Sequence, residues 1–144
     1  MPKYHAGRGD AVTTVEVQPG DYAAGNTNGI GVDMSGFDGV VFDAIIGGIT
    51  GAGVYDMRVV ESENANFSGA VNIANAAIVQ VTNAAPNTIH SIDVFRATNN
   101  RYLRVVSSPA TNNVEVTVIA RRYRAQGRTP YELPTGSTYV EVSG

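Results

Sequence analysis

The side chains able to do acid–base or nucleophilic chemistry are few in this sequence, and their spacing argues against a catalytic assembly. There are two histidines and no cysteine. His5 lies in an N-terminal stretch without hydrophobic period and His90 in a strand-like run, so no close-spaced metal pair exists. A serine triad would need one of them as base, and no Gly-x-Ser-x-Gly turn accompanies either. Glu61 and Glu63 stand two apart, the spacing of neighbours on one face of a strand. Paired carboxylates serve glycosidases only where a sugar cleft separates them, so the two read as a solvated strand end. His90 reads as a half-exposed strand residue. Gly47-Gly48 with Gly51 and Gly53 lacks the strand–helix context of a nucleotide site and reads as a long hairpin connection. Arg8-Gly9-Asp10 spells a cell-adhesion tripeptide, but a match this short reads first as a turn. No catalytic constellation, metal set or cofactor site emerges, and the reading is non-enzymatic.

What remains is contact chemistry. Arg121-Arg122-Tyr123-Arg124 is the one basic cluster in a chain of net charge −3. Lys3 is the only lysine, and arginine favours planar, bidentate contacts over simple solvation. An acidic chain with otherwise scattered arginines does not suit nucleic acid. No run approaches the roughly 20 apolar residues of a membrane helix, and the N-terminus carries no apolar signal core. These features point to a protein made in the cytoplasm that stays there or leaves as part of something larger.

The elements that must position these residues are strands. Val40 to Ile46 is apolar on both faces, which predicts a strand central in its sheet or covered twice. Val54 to Val60 alternates after the glycine turn, and this pair is taken as the centre of the fold. Val12 to Gln18 alternates until Pro19-Gly20-Asp21. Residues 70 to 82 suit two short strands around a loop, with Phe67 a buried anchor. Thr88 to Arg96, Tyr102 to Val106 and Val114 to Ala120 complete the set, with turns at Asn99-Asn100 and at 107–113. Strands recurring every 10 to 15 residues without helical pattern predict an all-β fold. We expect a single antiparallel β-sandwich, jelly-roll-like, over 12–123, with extended arms at 1–11 and 124–144. The predicted core is Val15, Val17, Val40, Phe42, Ile46, Tyr55, Met57, Val59, Ile92, Val94, Leu103, Val105, Val116 and Val118. Thr138 to Val142 is either a last strand or one that adds to a neighbour's sheet.

Four stretches carry a resemblance. They are Val32-Asp33-Met34-Ser35-Gly36-Phe37-Asp38-Gly39-Val40-Val41-Phe42, Gly48-Ile49-Thr50-Gly51, Val59-Val60-Glu61-Ser62, and Asn100-Arg101-Tyr102-Leu103-Arg104-Val105-Val106. In order and type they resemble a family of small structural proteins of tailed bacteriophages, commonly encoded beside the major capsid protein. The likeness spans roughly residues 30 to 120. The chain departs from it after Ser62, where Asn64-Ala65-Asn66-Phe67 replaces an acidic turn and a tryptophan, and in a longer tail. The resemblance implies a head decoration, or cement, protein on the outside of the capsid shell, with the major capsid protein as partner and a homotrimer as assembly. The alternative is a carbohydrate-binding sandwich of a tail or head spike, with Tyr22, Tyr55, Tyr123, Tyr131 and Tyr139 as its candidate aromatics.

The capsid and subunit interface is expected in the arms, on Tyr4, His5, Arg121, Arg122, Tyr123, Arg124, Arg128, Pro130, Tyr131, Pro134 and Tyr139. Tyrosine and arginine are enriched at interface hot spots, and the prolines pre-extend the backbone. On this expectation, deleting 126–144 leaves the sandwich folded with little change in melting temperature.

Overall fold

A computed structural model describes residues 11–95, 100–124 and 135–143. Every regular element among them is a strand, and the strands form two sheets packed face to face. The first sheet holds β1 (Ala11–Tyr22), β10 (Val114–Tyr123), β4 (Gly39–Ile49), β8 (Thr88–Phe95) and β11 (Thr138–Ser143), in that order. The second holds β9 (Tyr102–Ala110) and β5 (Val54–Ser62) at its centre. The short strands β2 (Thr27–Asn28) and β3 (Val32–Asp33) flank β9, and β6 (Val71–Ala77) and β7 (Val81–Thr82) flank β5. Pairing is nested: β1 with β10, β2 and β3 with β9, β4 with β8, β5 with β6 and β7. All these pairings are antiparallel, and among the described residues β11 alone joins its sheet in parallel, beside β8.

Alternation decides what lies between the layers. Val40, Phe42, Ala44 and Ile46 of β4 meet Tyr55, Met57 and Val59 of β5, with Ile92, Val94, Leu103, Val105, Val116 and Val118 around them. Each such side chain removed from water contributes roughly 1.5–3 kcal/mol. β4 lies between β10 and β8, so the run apolar on both faces is central, as expected. Its glycine turn is not a hairpin, however. β4 and β5 belong to different sheets, and Gly47–Gly53 carries the chain from one layer to the other.

Two prolines sit inside strands where stops were expected. β1 continues through Pro19 because it is an edge strand whose register with β10 slips between Val17 and Gly20, and a bulge on an edge tolerates a missing N–H. β9 continues through Pro109, whose carbonyl accepts from Gly25 N–H at 3.0 Å. Its ring nitrogen faces the same side, past the end of β2, where no ladder partner is required.

One core assignment fails. Val15 is 39% exposed. A second register slip, between Val15 and Val17, inserts an extra residue opposite β10. Such a bulge reverses the in–out order of the strand, so Val17 still points inward while Glu16 takes the buried place expected of a valine.

The C-terminal boundary also moves. Thr138–Ser143 is a strand of this chain's own first sheet, parallel to β8 over six register positions from His90 to Phe95. It is not wholly a free arm.

Candidate interaction surface

The outer face of the first sheet should be solvated in a two-layer sandwich, yet Val41, Asp43, Ser91 and Asp93 on it are buried. Asp93 is the hub. Its Oδ1 accepts from the Tyr123 hydroxyl and its Oδ2 from the Tyr139 hydroxyl, each at 2.5 Å. Tyr123 reaches it by lying flat across Gly39, its register neighbour, parallel to the Phe95 ring at 6.2 Å. A Cβ at residue 39 would collide with the hydroxyl end of that ring. Ser91 donates to the Asp43 carboxylate, and Arg121 stands 4.0 Å from its other oxygen. Charge-assisted bonds of this kind contribute about 1.5–3 kcal/mol each. They tie β10, β4, β8 and β11 side to side.

At the end of the sandwich where β4 begins, three of the four family-like stretches meet, while Gly48-Ile49-Thr50-Gly51 lies at the other end of β4. Val32-Asp33 pairs with Leu103-Tyr102 on one side of β9, and Glu61-Ser62 pairs with Leu103-Tyr102 on the other. Arg101 grips Asp33 through Nε and Nη2, both at 2.8 Å. This pairing, with the Ser35 N–H, holds the Asp33 carboxyl down at about 2. Glu61 is no solvated strand end: it is buried and accepts from Asn100 N–H at 3.0 Å. Glu63 is exposed. A turn over Met34–Phe37, with Gly36 at φ 84°, lifts Phe37 above β10. There Arg122 and Arg124 stand 4.8 and 4.9 Å from its ring centroid. Arg122 Nη1 also donates to the Asp33 carbonyl at 2.9 Å.

Glu16, inside β1, ties the first sheet to the 29–31 segment between β2 and β3 of the second, where its backbone carbonyl accepts from Ile30 N–H at 3.1 Å. Its Oε2 accepts from Gly31 N–H at 2.9 Å, while Oε1 is buried without a hydrogen-bond partner. Burial pushes its carboxyl up to about 7, against the backbone N–H groups and the Arg104 and Arg122 charges that favour the anion. Gly29 is required here, since any side chain would collide with that carboxylate.

His90 is buried rather than half-exposed. The Thr88 hydroxyl donates to the Ala85 carbonyl at 2.9 Å, so it accepts from His90 Nε2–H at 2.7 Å. Nδ1 is then the acceptor for the Thr138 hydroxyl at 2.9 Å. Burial pushes the imidazole pKa below its ordinary value. Thus His90 fastens β11. Among the described residues no group of three or more metal-ligating side chains gathers.

Of the residues expected at an interface, Tyr4, His5, Arg128, Pro130, Tyr131 and Pro134 lie outside the described residues, as does Arg8-Gly9-Asp10. Arg121, Arg122 and Tyr123 belong to β10, and Arg124 follows it, exposed. Tyr123 is buried, and Tyr139 is 43% exposed with its hydroxyl committed to Asp93. Of the aromatics offered for sugar stacking, Tyr131 lies outside the described residues, and Tyr22, Tyr55, Tyr123 and Tyr139 are dispersed over separate strands. Tyr55 is in the core, bonded to the Ser107 hydroxyl at 2.8 Å, and Tyr22 turns onto the Gln18 carbonyl. Sequence reasoning missed Asp93, Glu16 and Phe37. For Phe37 a signal existed, namely an aromatic in the Asp/Gly turn before a strand whose partner strand ends in arginines.

Comparison with protein-family models, with characterised proteins and with solved structures gave no match to this chain.

Proposed function

We propose that this chain is a non-enzymatic, jelly-roll-like structural protein that decorates the outer surface of a tailed-phage capsid, as a homotrimer bound to the major capsid protein. The observation that carries the reading is the convergence of three of the four family-like stretches. Residues far apart in sequence meet on three adjacent strands, β3, β9 and β5, with Asp33–Arg101 and Glu61–Asn100 as cross-links. Gly48-Ile49-Thr50-Gly51 lies apart from them, at the far end of β4. The nested strand order supports the jelly-roll-like description. The use of interior polar groups is a second support. Asp93, Asp43, Glu61 and His90 all bind other strands or turns of the chain, as suits a rigid scaffold more than a reactive site.

The test is co-sedimentation. Shells assembled from the major capsid protein encoded beside this gene are incubated with the purified chain and pelleted. Saturable binding at a fixed ratio to the shell's local symmetry, with trimers visible on the outer surface in particle images, is the expected result. Failure to pellet, together with reproducible hits on a glycan array, would replace this reading with a carbohydrate-binding one.

A further inference from the structure

The Phe37 platform carries more positive charge than its surroundings explain. Arg122 and Arg124 stand on one ring at 4.8 and 4.9 Å from its centroid. Their guanidinium centres are therefore within about 10 Å of each other, one Debye length at ordinary ionic strength. Asp33 is already gripped by Nε and Nη2 of Arg101 and turns only its backbone carbonyl to Arg122, and Asp38, next to Phe37 in the chain, is itself engaged. Arg124 is exposed and has no carboxylate partner among the described residues. The Arg122 Nε is buried with no acceptor. Stacking on an aromatic face fixes a guanidinium while leaving its in-plane donors open.

We infer that the Phe37–Arg122–Arg124 platform is a docking site for an acidic segment of a protein partner, which places a carboxylate between the two guanidinium groups. Arg122 has Nη1 on the Asp33 carbonyl and Nε buried, which leaves Nη2, and Arg124 presents an exposed guanidinium; one carboxylate can accept from both. Phosphate is matched by the same donors, but a nucleic-acid backbone is a long run of anions. The platform is bordered by Asp33 and Asp38, and the chain as a whole is acidic at −3. That setting admits a short acidic stretch and repels an extended polyanion. The inference deepens the interface reading of this end of the molecule and rests on it, but it does not depend on the partner being a capsid.

The experiment uses the full chain and a capped hexaglutamate peptide. The Phe37 ring and Arg124 Nε–H resonances are followed by NMR during titration, with hexalysine and a thymidine oligonucleotide as parallel probes. The expected result is saturable shifts of both signals with hexaglutamate alone, lost on adding 0.5 M salt (about a 4 Å screening length). Arg124→Gln is exposed and should fold normally, and it should weaken binding about tenfold, the loss of one charge-assisted bond. Arg58→Gln, on the second sheet, should leave it unchanged. Absence of saturation, equal binding by Arg124→Gln, or preference for the oligonucleotide would overturn the inference. Peptide binding without capsid binding would defeat the decoration reading and leave this one standing. Capsid binding that survives Arg124→Gln, without peptide binding, would do the reverse.

Discussion

Replacing Glu16 by glutamine should stabilise the protein at alkaline pH and destabilise it at acid pH. The carboxyl is 2% exposed, and burial raises it from 4.5 to about 7. A raised carboxyl binds its proton more tightly in the folded state, so between those values the folded protein holds more protons than the unfolded one. Stability from this group therefore falls as pH rises from 4.5 through 7. At about 1.36 kcal/mol per pH unit, the full span amounts to roughly 3 kcal/mol. Glutamine keeps an acceptor for Gly31 N–H and carries no charge at any pH. Its amide nitrogen, however, takes the place of Oε1, which has no hydrogen-bond partner, and an unsatisfied buried donor costs about 1–3 kcal/mol. The balance is a gain of about 1–2 kcal/mol at pH 8 and a loss of about 1–2 kcal/mol at pH 5. Urea unfolding of both proteins, followed by tyrosine fluorescence or circular dichroism at several pH values, measures the difference. His90 works the other way, since its lowered pKa makes stability fall as pH drops through 6.5, but it is common to both proteins and cancels. A pH-independent difference, or a wild type that gains on the variant as pH rises, would refute the assignment of a buried, desolvated carboxyl.

Gly39→Ala should lower stability by about 2–4 kcal/mol in thermal or urea melts, because the new methyl lifts Tyr123 off the sheet and breaks its bond to Asp93. Long-range nitrogen–proton NMR should find the His90 proton on Nε2 at neutral pH, with a midpoint below 6.5, and a proton on Nδ1 would contradict the threonine network. Deleting 135–144 should lower the melting temperature clearly, against the expectation from composition. The deletion strips Asp93 of the Tyr139 hydroxyl and His90 of the Thr138 hydroxyl, and exposes the edge of β8. An unchanged melting curve would mean that β11 adds nothing to the fold.

The strand pattern was legible because both layers obey period-two alternation wherever one face is buried. Val114 to Ala120 and Thr88 to Phe95 appear in the structure nearly as read, and Phe67 is the buried anchor expected. What alternation cannot show is a slip. The bulge in β1 exchanges Val15 for Glu16, and no local residue type announces it, since Val-Glu-Val reads equally well in either phase. Nor can alternation show which strands pair. Gly47–Gly53 looks like a hairpin turn and is a crossing between sheets, because the partner of β4 is β8. The burial of His90, Glu61 and Asp93 was hidden for a related reason. Each has a partner far away in sequence, Thr138, Asn100, or Tyr123 and Tyr139, although His90 also meets Thr88 two positions away. A polar residue's cost of burial depends on partners that sequence spacing does not place.

These fasteners also decide which surface is left for a partner. Tyr123 was counted among the contact residues for its type, but its ring lies flat on Gly39 and its hydroxyl is spent inside the first sheet. Tyr139 likewise spends its hydroxyl on Asp93. On the outer face of the second sheet, Arg104 is stacked on Phe67 at 4.4 Å beside buried Val60 and Val106. The two ends of the sandwich then differ in chemistry. Where β4 begins, Arg101, Arg122 and Arg124 gather on Tyr102 and Phe37. Where β4 ends, Glu115 caps Gly48 N–H at 2.8 Å, and Asn113 reaches Asp21 at 3.1 Å, in a rim of glycine, asparagine and acid. An asymmetric placement of charge of this kind biases how a protein approaches a charged surface. On the proposed docking, an acidic partner would meet the arginine end and the glycine–asparagine loops would face outward. Insertions at 47–53 or 111–113 should then leave association unchanged, and Arg124→Gln should weaken it, since the Tyr123 and Tyr139 hydroxyls are already spent on Asp93.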